Sequence, residues 1–456
     1  MAPRLLHYSD IENAYDTPER IGRLAGLISD RRDEGALVVG TGDNTAPGVL
    51  AMVTEAQQAL DFFRGVEPDA ETFGNHDFDF GPERTLELVR DSPQPWLSTN
   101  IYRNGTRFGA AEGVAPWIVL EADGDRVGLF GVIDPKTSSM VPSLSDEFGF
   151  TDPITAADEA VTALHDQSVD HIVALSHVGH GDADLAAAVD IDVVLGGHIH
   201  SERIEYKHDT LLTRPGPNGA VLLEITLDGS PTATKHEVSN GPIDATVQDA
   251  LDERMRAVGL DEVIAHVADP VERTSSTTYE GECRIGNFVA DAYRWAGDAD
   301  IGLVNSGSLR AGPALAGDVT VGDLASVVPF GGPVAVAEVT GEELTEVFRQ
   351  GDSALVEFGD DTRWYAQISG ARITYDHANE ALVEATVAGE LIDPDRTYSL
   401  ATSEFVLWTD IEFPALTPKH QQRTLDTQYE VLVAYAREHG ISPQLEGRVA
   451  RRNTVE

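Results

Sequence analysis

The run Val193-Val194-Leu195 is followed at once by Gly196-Gly197-His198-Ile199-His200. A short apolar run closed by a glycine pair reads as a buried strand ending in a turn, and this turn delivers two imidazoles. The pattern recurs outward from it. The run at 171–175 leads into Ser176-His177, the run at 36–39 into Gly40-Thr41-Gly42-Asp43-Asn44, and the run at 4–8 into Ser9-Asp10-Ile11-Glu12. Gly74-Asn75-His76-Asp77-Phe78-Asp79 is a fifth such turn. Helical periodicity at 18–28, 49–63, 154–165 and 182–189 separates the runs, which predicts an α/β layered domain. After Leu211 the strands at 220–227 and 232–238 return without helices, so mixed sheets are expected.

A strand-end Asp commonly caps a following helix, and a lone His is more often structural than chemical. Five strand ends in order, each bearing Asp, Asn or His and most of them in a Gly-containing turn, are harder to assign to structure alone. Glycine lets the backbone approach a site closely and adopt positive φ, which a plain helix cap does not require at every turn. Open α/β sheets place their sites outside the carboxyl ends of the strands, where all of these residues fall.

A chain of 456 residues exceeds what one core usually organises, so two domains are expected. The pattern breaks near Ser239-Asn240-Gly241-Pro242, and an amphipathic helix follows from about Asp244 to Ala257. The expected division is a first domain at 1–240, a linker helix at 241–260 and a second domain at 261–456. The second domain should hold a helix at 286–296 and strands at 301–304, 334–339, 365–368 and 397–401.

Charge is the abnormal feature, with 77 Asp plus Glu against 32 Lys plus Arg and a formal net of −45. The basic side contains only four lysines, Lys136, Lys207, Lys235 and Lys419. Such a surface repels nucleic acid and anionic membranes. Because the acids are spread through well-patterned segments, the expectation is a folded protein adapted to high salt rather than a disordered tail. The single cysteine, Cys283, rules out an intrachain disulfide, and the N-terminus enters a strand without a signal-peptide pattern. A cytoplasmic location is therefore expected, and no stretch approaches the length of a membrane helix.

Taken in order, these blocks resemble the 5′-nucleotidase family within the calcineurin-like metallophosphoesterases. Gly74-Asn75-His76-Asp77 and Gly196-Gly197-His198-Ile199-His200 carry the likeness in the first domain. In the second it rests on Gly286-Asn287-Phe288-Val289-Ala290-Asp291-Ala292, Asn305-Ser306-Gly307-Ser308-Leu309-Arg310 and Val328-Pro329-Phe330-Gly331. The resemblance implies a four-layer α/β/β/α metallophosphoesterase domain followed by an α/β substrate-binding domain. It further implies that Asp10, Asp43 and His200 hold one metal while Asp43, Asn75, His177 and His198 hold the other. Mixed oxygen and imidazole ligands suit Mn²⁺, Zn²⁺ or Co²⁺. Where the family usually has Asp-x-His, this chain has Asp10-Ile11-Glu12. Glu12 as a ligand makes the first site harder and favours Mn²⁺; otherwise it only caps or solvates.

By the same resemblance, His76 acts on the phosphoryl group and Asp79 orients it, whereas a bare structural reading makes Asp79 a cap for the turn at Phe80-Gly81-Pro82. Asn305 and Arg310 are implied in substrate binding, with Phe330 and Phe405 as rings for a base. Arg310 suits bidentate anion recognition, against the plainer reading of a surface ion pair. Two departures stand out. Tyr279 occupies a position where many relatives have arginine, with Arg273 and Arg284 out of register, and Thr409-Asp410-Ile411-Glu412 replaces a Gly-Gly-Asp-Gly loop. Trp408 is then either a replacement stacking surface or packing.

The expected function is two-metal hydrolysis of a small-molecule phosphomonoester, with a nucleotide as the leading substrate. Its rivals are a 2′,3′-cyclic-nucleotide phosphodiesterase, a hydrolase of another phosphoester, and a binding protein of the same fold that has lost catalysis. The charge balance generates a prediction of its own. Screening shortens from roughly 30 Å at 0.01 M salt to about 3 Å at 1 M, so the melting temperature should climb steeply from dilute to molar KCl. A melting temperature constant across that range contradicts salt adaptation.

Overall fold

The computed structural model describes residues 2–137, 144, 147–352, 363–409 and 412–454. The chain divides into two compact units, Met1–Val258 and Gly259–Glu456.

In the first unit two six-stranded sheets face each other. One runs in the order Thr232–Glu237, Val221–Thr226, Arg4–Tyr8, Ala36–Thr41, Ala70–Thr72, Trp96–Leu97. The other runs Arg203–Lys207, Thr210–Arg214, Val193–Gly196, His171–His177, Asp125–Ile133, Trp117–Ala122. Parallel pairs make up the centre of each, as in Leu5 beside Leu37 and Leu175 beside Leu195; antiparallel strands close both edges of the second sheet and one edge of the first, whose other edge strand Trp96–Leu97 is parallel, so both sheets are mixed. Side chains alternate across each strand. Leu5, Leu37 and Val39 from one sheet and Leu129, Val173 and Leu195 from the other therefore meet in one dry layer. The opposite faces take helices. Phe130, Ile172 and Val194 pack under Pro153–Asp166 and Asp182–Ala188, while Tyr8, Phe62, Phe63 and Trp96 form an aromatic chain on the other side, edge-to-face at its two ends and tilted between Phe62 and Phe63. The result is the four-layer α/β/β/α arrangement.

The helix expected at 49–63 is two, Val49–Thr54 and Ala59–Val66. Glu55 and Ala56 take left-handed φ of 50° and 64° between them. The break lets Gln58 donate to the Thr45 carbonyl at 2.7 Å, tying this layer to the turn that holds Asp43. The helix expected to connect the domains is Ala245–Ala257, capped by Asp244, which accepts from the backbone N–H of Thr246 and Val247. It packs on the helices Pro18–Arg31 and Ala59–Val66 within the first unit, where Arg254 pairs with Asp61 at 2.6 Å.

The second unit is built on a five-stranded sheet in the order Ala366–Ser369, Ile301–Asn305, Thr397–Ser403, Pro333–Thr340, Gln421–Thr427. The helix Arg284–Gly297 covers it, and a four-stranded sheet and a two-stranded ribbon complete the unit. Three strands here end in Thr320, Thr340 and Thr427, each of which starts the next helix with a reciprocal capping box. Each turn from strand to helix is thus written locally in the sequence. Among the described residues no helix is long and apolar enough to cross a membrane.

Candidate metal centre

All five sequence-predicted turns of the first unit leave strands at their carboxyl ends. Asp10 and Glu12 follow Arg4–Tyr8, Asp43 follows Ala36–Thr41, and Asn75, His76 and Asp79 follow Ala70–Thr72. His177 closes its own strand, and His198 and His200 follow Val193–Gly196. Reaching one point from five strands demands unusual backbone. Asp10, Glu12, Asp43 and His198 all hold left-handed φ, at 48°, 46°, 53° and 71°, a strain of about 1–3 kcal/mol at each such residue. Gly42 and Gly74 make the close approach possible. A Cβ on Gly42 would stand 2.5 Å from the Gly74 nitrogen, and one on Gly74 would stand 2.2 Å from Asp43 Oδ1.

Two donor sets form, each with ligand atoms within 4.8 Å of one another: Asp43 with His177 and His198, and Asp10 with Glu12 and His200. A third grouping, Glu12 with Asp43 and His76, links them. His177 Nε2 lies 3.1 Å from Asp43 Oδ2 and His200 Nε2 lies 2.8 Å from Glu12 Oε1. Glu12 is buried and faces the cluster rather than solvent. Asn75 is buried too, and among the described residues its Oδ1 has no hydrogen-bond partner. An unpartnered buried carbonyl oxygen, together with crowded carboxylates and imidazoles, makes a set of hard and borderline donors, so these residues fit divalent metal ions.

Burial opposes a charge on the His177 ring, but Asp43 and Asp10 outweigh it and raise the imidazole to about 10. Burial pushes Asp10 up to about 7, helped by the charges of Asp43 and Glu12 and opposed by His177. Burial also works against a charge on Asp43, but His177 and His76 beside it hold the carboxylate down at about 2. His198 is lowered to about 4 by burial and by His177, which keeps its ring neutral as a ligand requires. The His177 ring is oriented by donating from Nδ1 to the Thr41 carbonyl at 2.7 Å, which leaves Nε2 to face Asp43.

His76 and Asp79 form a separate pair. His76 Nδ1 meets Asp79 Oδ2 at 2.9 Å, and the His76 backbone N–H donates to Asp43 Oδ1 at 2.7 Å. Burial opposes a charge on the His76 ring, but Asp43 and Asp79 outweigh it and raise the imidazole to about 10. The ring is therefore a cation at neutral pH, with Nδ1 committed to Asp79 and Nε2 left to donate elsewhere.

Sequence reading assigned no role to Asp77, the residue that ties the turns together. Its carboxylate accepts from the backbone N–H of Asp43 at 3.0 Å, Gly74 at 2.8 Å and Thr45 at 3.1 Å, and from the Thr45 hydroxyl at 2.7 Å. Only its place in the Gly74-Asn75-His76-Asp77 block signalled it.

In the second unit, Arg310 lies over the Phe330 ring at 4.9 Å and donates to the Gly307 carbonyl at 3.3 Å. Asn305 is buried at a strand end and accepts from the Ser308 hydroxyl at 2.6 Å. Phe405 and Trp408 share the short helix Glu404–Trp408 and are 53% and 68% exposed, so Trp408 is not core packing. Tyr279 carries the Arg363 guanidinium over its ring at 4.6 Å, a cation that sequence reading missed because it is far away in the chain. Arg273 is used up on the Pro313 and Ser326 carbonyls, and Arg284 on those of Pro443 and Pro270. Of the altered loop, Asp410 and Ile411 lie outside the described residues. Glu412 is buried, and burial pushes its carboxyl up to about 7, with the Asn305 side chain opposing.

Residues 3–202 match the calcineurin-like phosphoesterase family and residues 263–418 match the 5′-nucleotidase C-terminal domain. A trifunctional nucleotide phosphoesterase protein, YfkN, of Bacillus subtilis is 27% identical over a region covering 84% of this chain and 30% of that protein. The chain thus spans about a third of that relative's length. Human 5′-nucleotidase is 24% identical over 76% of this chain and 68% of its own. The crystal structure of a 5′-nucleotidase precursor from Thermus thermophilus shares the fold, with a TM-score of 0.73 and 23% identity over 99% of this chain and all of that one. The two domain matches in this order, over a cluster of candidate metal ligands at the strand ends, identify residues 3–202 as similar to the calcineurin-like phosphoesterases and residues 263–418 as similar to the 5′-nucleotidase C-terminal domain.

Proposed function

We propose that the chain binds two divalent cations and hydrolyses the phosphomonoester of a nucleotide. The observation that carries this reading is the pair of donor sets sharing the Asp43–Glu12 side of one cluster, with the orphaned Asn75 oxygen beside them. Asp43, Asn75, His177 and His198 hold one ion, and Asp10, Glu12 and His200 hold the other with Asp43 between them. Glu12 adds a second hard donor to that site and favours Mn²⁺ over Zn²⁺. When bound, such a pair supplies Lewis acidity toward the attacking and leaving oxygens of an in-line displacement.

The protein's own groups do the rest. The His76 imidazolium donates from Nε2 to a non-bridging phosphoryl oxygen, where charge concentrates in the transition state, and Asp79 keeps the ring protonated and aimed. Arg310 binds anionic oxygen with a guanidinium that the Phe330 face steadies. Phe330 and Phe405 hold the flat base, and exposed Trp408 offers a further stacking face. The reading of a binding protein without catalysis is disfavoured by the intact His76–Asp79 pair.

Chelation should strip activity, and Mn²⁺ should restore it with two ions bound per chain at saturation. Asp43→Asn should remove most of it, because that carboxylate serves both ions. One ion or fewer at saturating metal, with Asp43→Asn fully active, contradicts the two-metal reading. His76→Asn should lower kcat by roughly 10²-fold or more, with KM and metal content nearly intact; an unchanged kcat takes His76 out of the mechanism. Phe330→Ala and Phe405→Ala should each reduce kcat/KM for a nucleotide by about 1–3 kcal/mol, the scale of base–aromatic stacking. A small chromogenic phosphate ester should hardly notice either change. Equal losses on both substrates would leave the hydrolase standing and remove the nucleotide.

A further inference from the structure

We propose that Glu71 is a positioning residue for the metal ligands, acting through the Asn44 side chain on the two turns that carry Asp10, Glu12 and Asp43; this rests on the metal assignment above. Glu71 is the middle residue of the three-residue strand Ala70–Thr72, an interior strand one in from the edge of its sheet, and it is fully buried. Central strand positions ordinarily take apolar or β-branched side chains. A buried carboxylate with no cation on it costs stability, so its retention calls for a task other than filling space.

Its partners identify the task. Glu71 Oε1 accepts from Asn44 Nδ2 at 2.7 Å and Oε2 accepts from the Tyr8 hydroxyl at 2.6 Å. Gly40 makes the room, since a Cβ there would stand 2.2 Å from Oε1. With its amide nitrogen held by Glu71, Asn44 can only turn Oδ1 the other way, where it accepts from the backbone N–H of Ile11 at 3.3 Å. Ile11 sits between Asp10 and Glu12, and Asn44 follows Asp43. One side-chain amide therefore joins the two strained turns, beside the backbone bonds Asp10 N–H to Gly42 O at 3.0 Å and Glu12 N–H to Asp43 O at 3.3 Å. The Tyr15 hydroxyl, donating to the Asn44 carbonyl at 2.9 Å, pins the same residue from the helix side. Glu71 determines which end of that amide faces Ile11. Leucine at 71 removes both acceptors, whereas glutamine can keep an oxygen toward Asn44 Nδ2 while its NH₂ donates to the Tyr8 hydroxyl, so leucine is the substitution that frees Asn44.

The test is made on the full chain with Mn²⁺ as the probe, measuring ion stoichiometry and affinity by calorimetry and apo-protein stability by thermal melting. Glu71→Leu should weaken Mn²⁺ binding by about 10–100-fold, the range seen when groups behind metal ligands are removed. Asn44→Leu should do the same, and the double variant should be no worse than Asn44→Leu alone, because both act along one path. Asp69→Asn is the control for plain destabilisation. Asp69 accepts from the Val38 N–H at 2.7 Å and pairs with Arg32 at 3.0 Å towards the other end of the same strands, so its loss should lower melting temperature without moving Mn²⁺ affinity. If Glu71→Leu does not fold, Tyr8→Phe removes one of the carboxylate's donors and should weaken Mn²⁺ in the same direction, again without adding to Asn44→Leu. Wild-type Mn²⁺ affinity in the Glu71 or Tyr8 variant, or losses that add to Asn44→Leu, overturns the proposal. A wild-type chain that binds fewer than two ions fails the two-metal reading itself, and two ions with an unaffected Glu71→Leu fails only this inference.

Discussion

Asp43 is a carboxylate removed from water and asked to serve several neighbours at once, and the architecture of the first unit follows from that demand. Its oxygens meet the His177 ring and the His76 backbone N–H, and its own backbone N–H is taken by Asp77. An ionised group in such a place persists only when every lone pair has a partner. The partners come from strands of both sheets, so the sandwich must bring those strands to one edge in register. Thr41 makes the connection explicit: it lies on one sheet, and its carbonyl receives the His177 imidazole from the other.

The strain at the site is the counterpart of that convergence. Asp10, Glu12, Asp43 and His198 hold backbone angles that L-residues avoid, and they are kept there by bonds between the turns and by glycines that let backbone pass within van der Waals range of side chains. Asp77 and Asn44 add side-chain ties with no chemistry of their own. The same buried crowding raises Asp10 and His76 in opposite functional senses. One is a carboxyl group that burial pushes toward its neutral form, and the other an imidazole kept charged by the carboxylates around it.

Much of this was legible from local pattern. Short apolar runs closed by glycine and a metal-binding side chain have one economical reading, and the positions of Asp10, Asp43, Asn75, His177, His198 and His200 at strand ends followed from it. Threonines at the ends of strands started helices as capping boxes, since that chemistry spans only four residues. The helix expected across 49–63 was interrupted because Gln58 reaches Thr45, a contact between segments that periodicity does not record. Arg363 beside Tyr279, and Glu71 under Asn44, were invisible for the same reason.

By itself, the sequence determined the strand-helix alternation, the strand-end placement of the candidate metal ligands and the strongly acidic balance of charge, because each depends on spacing along the chain or on composition. Tertiary structure alone decided that Glu12 turns into the cluster beside His200, that Asn75 keeps an unpartnered oxygen there, and that Trp408 stands exposed instead of packed. Direction and burial of a side chain are set by residues that are distant in sequence and adjacent only after folding.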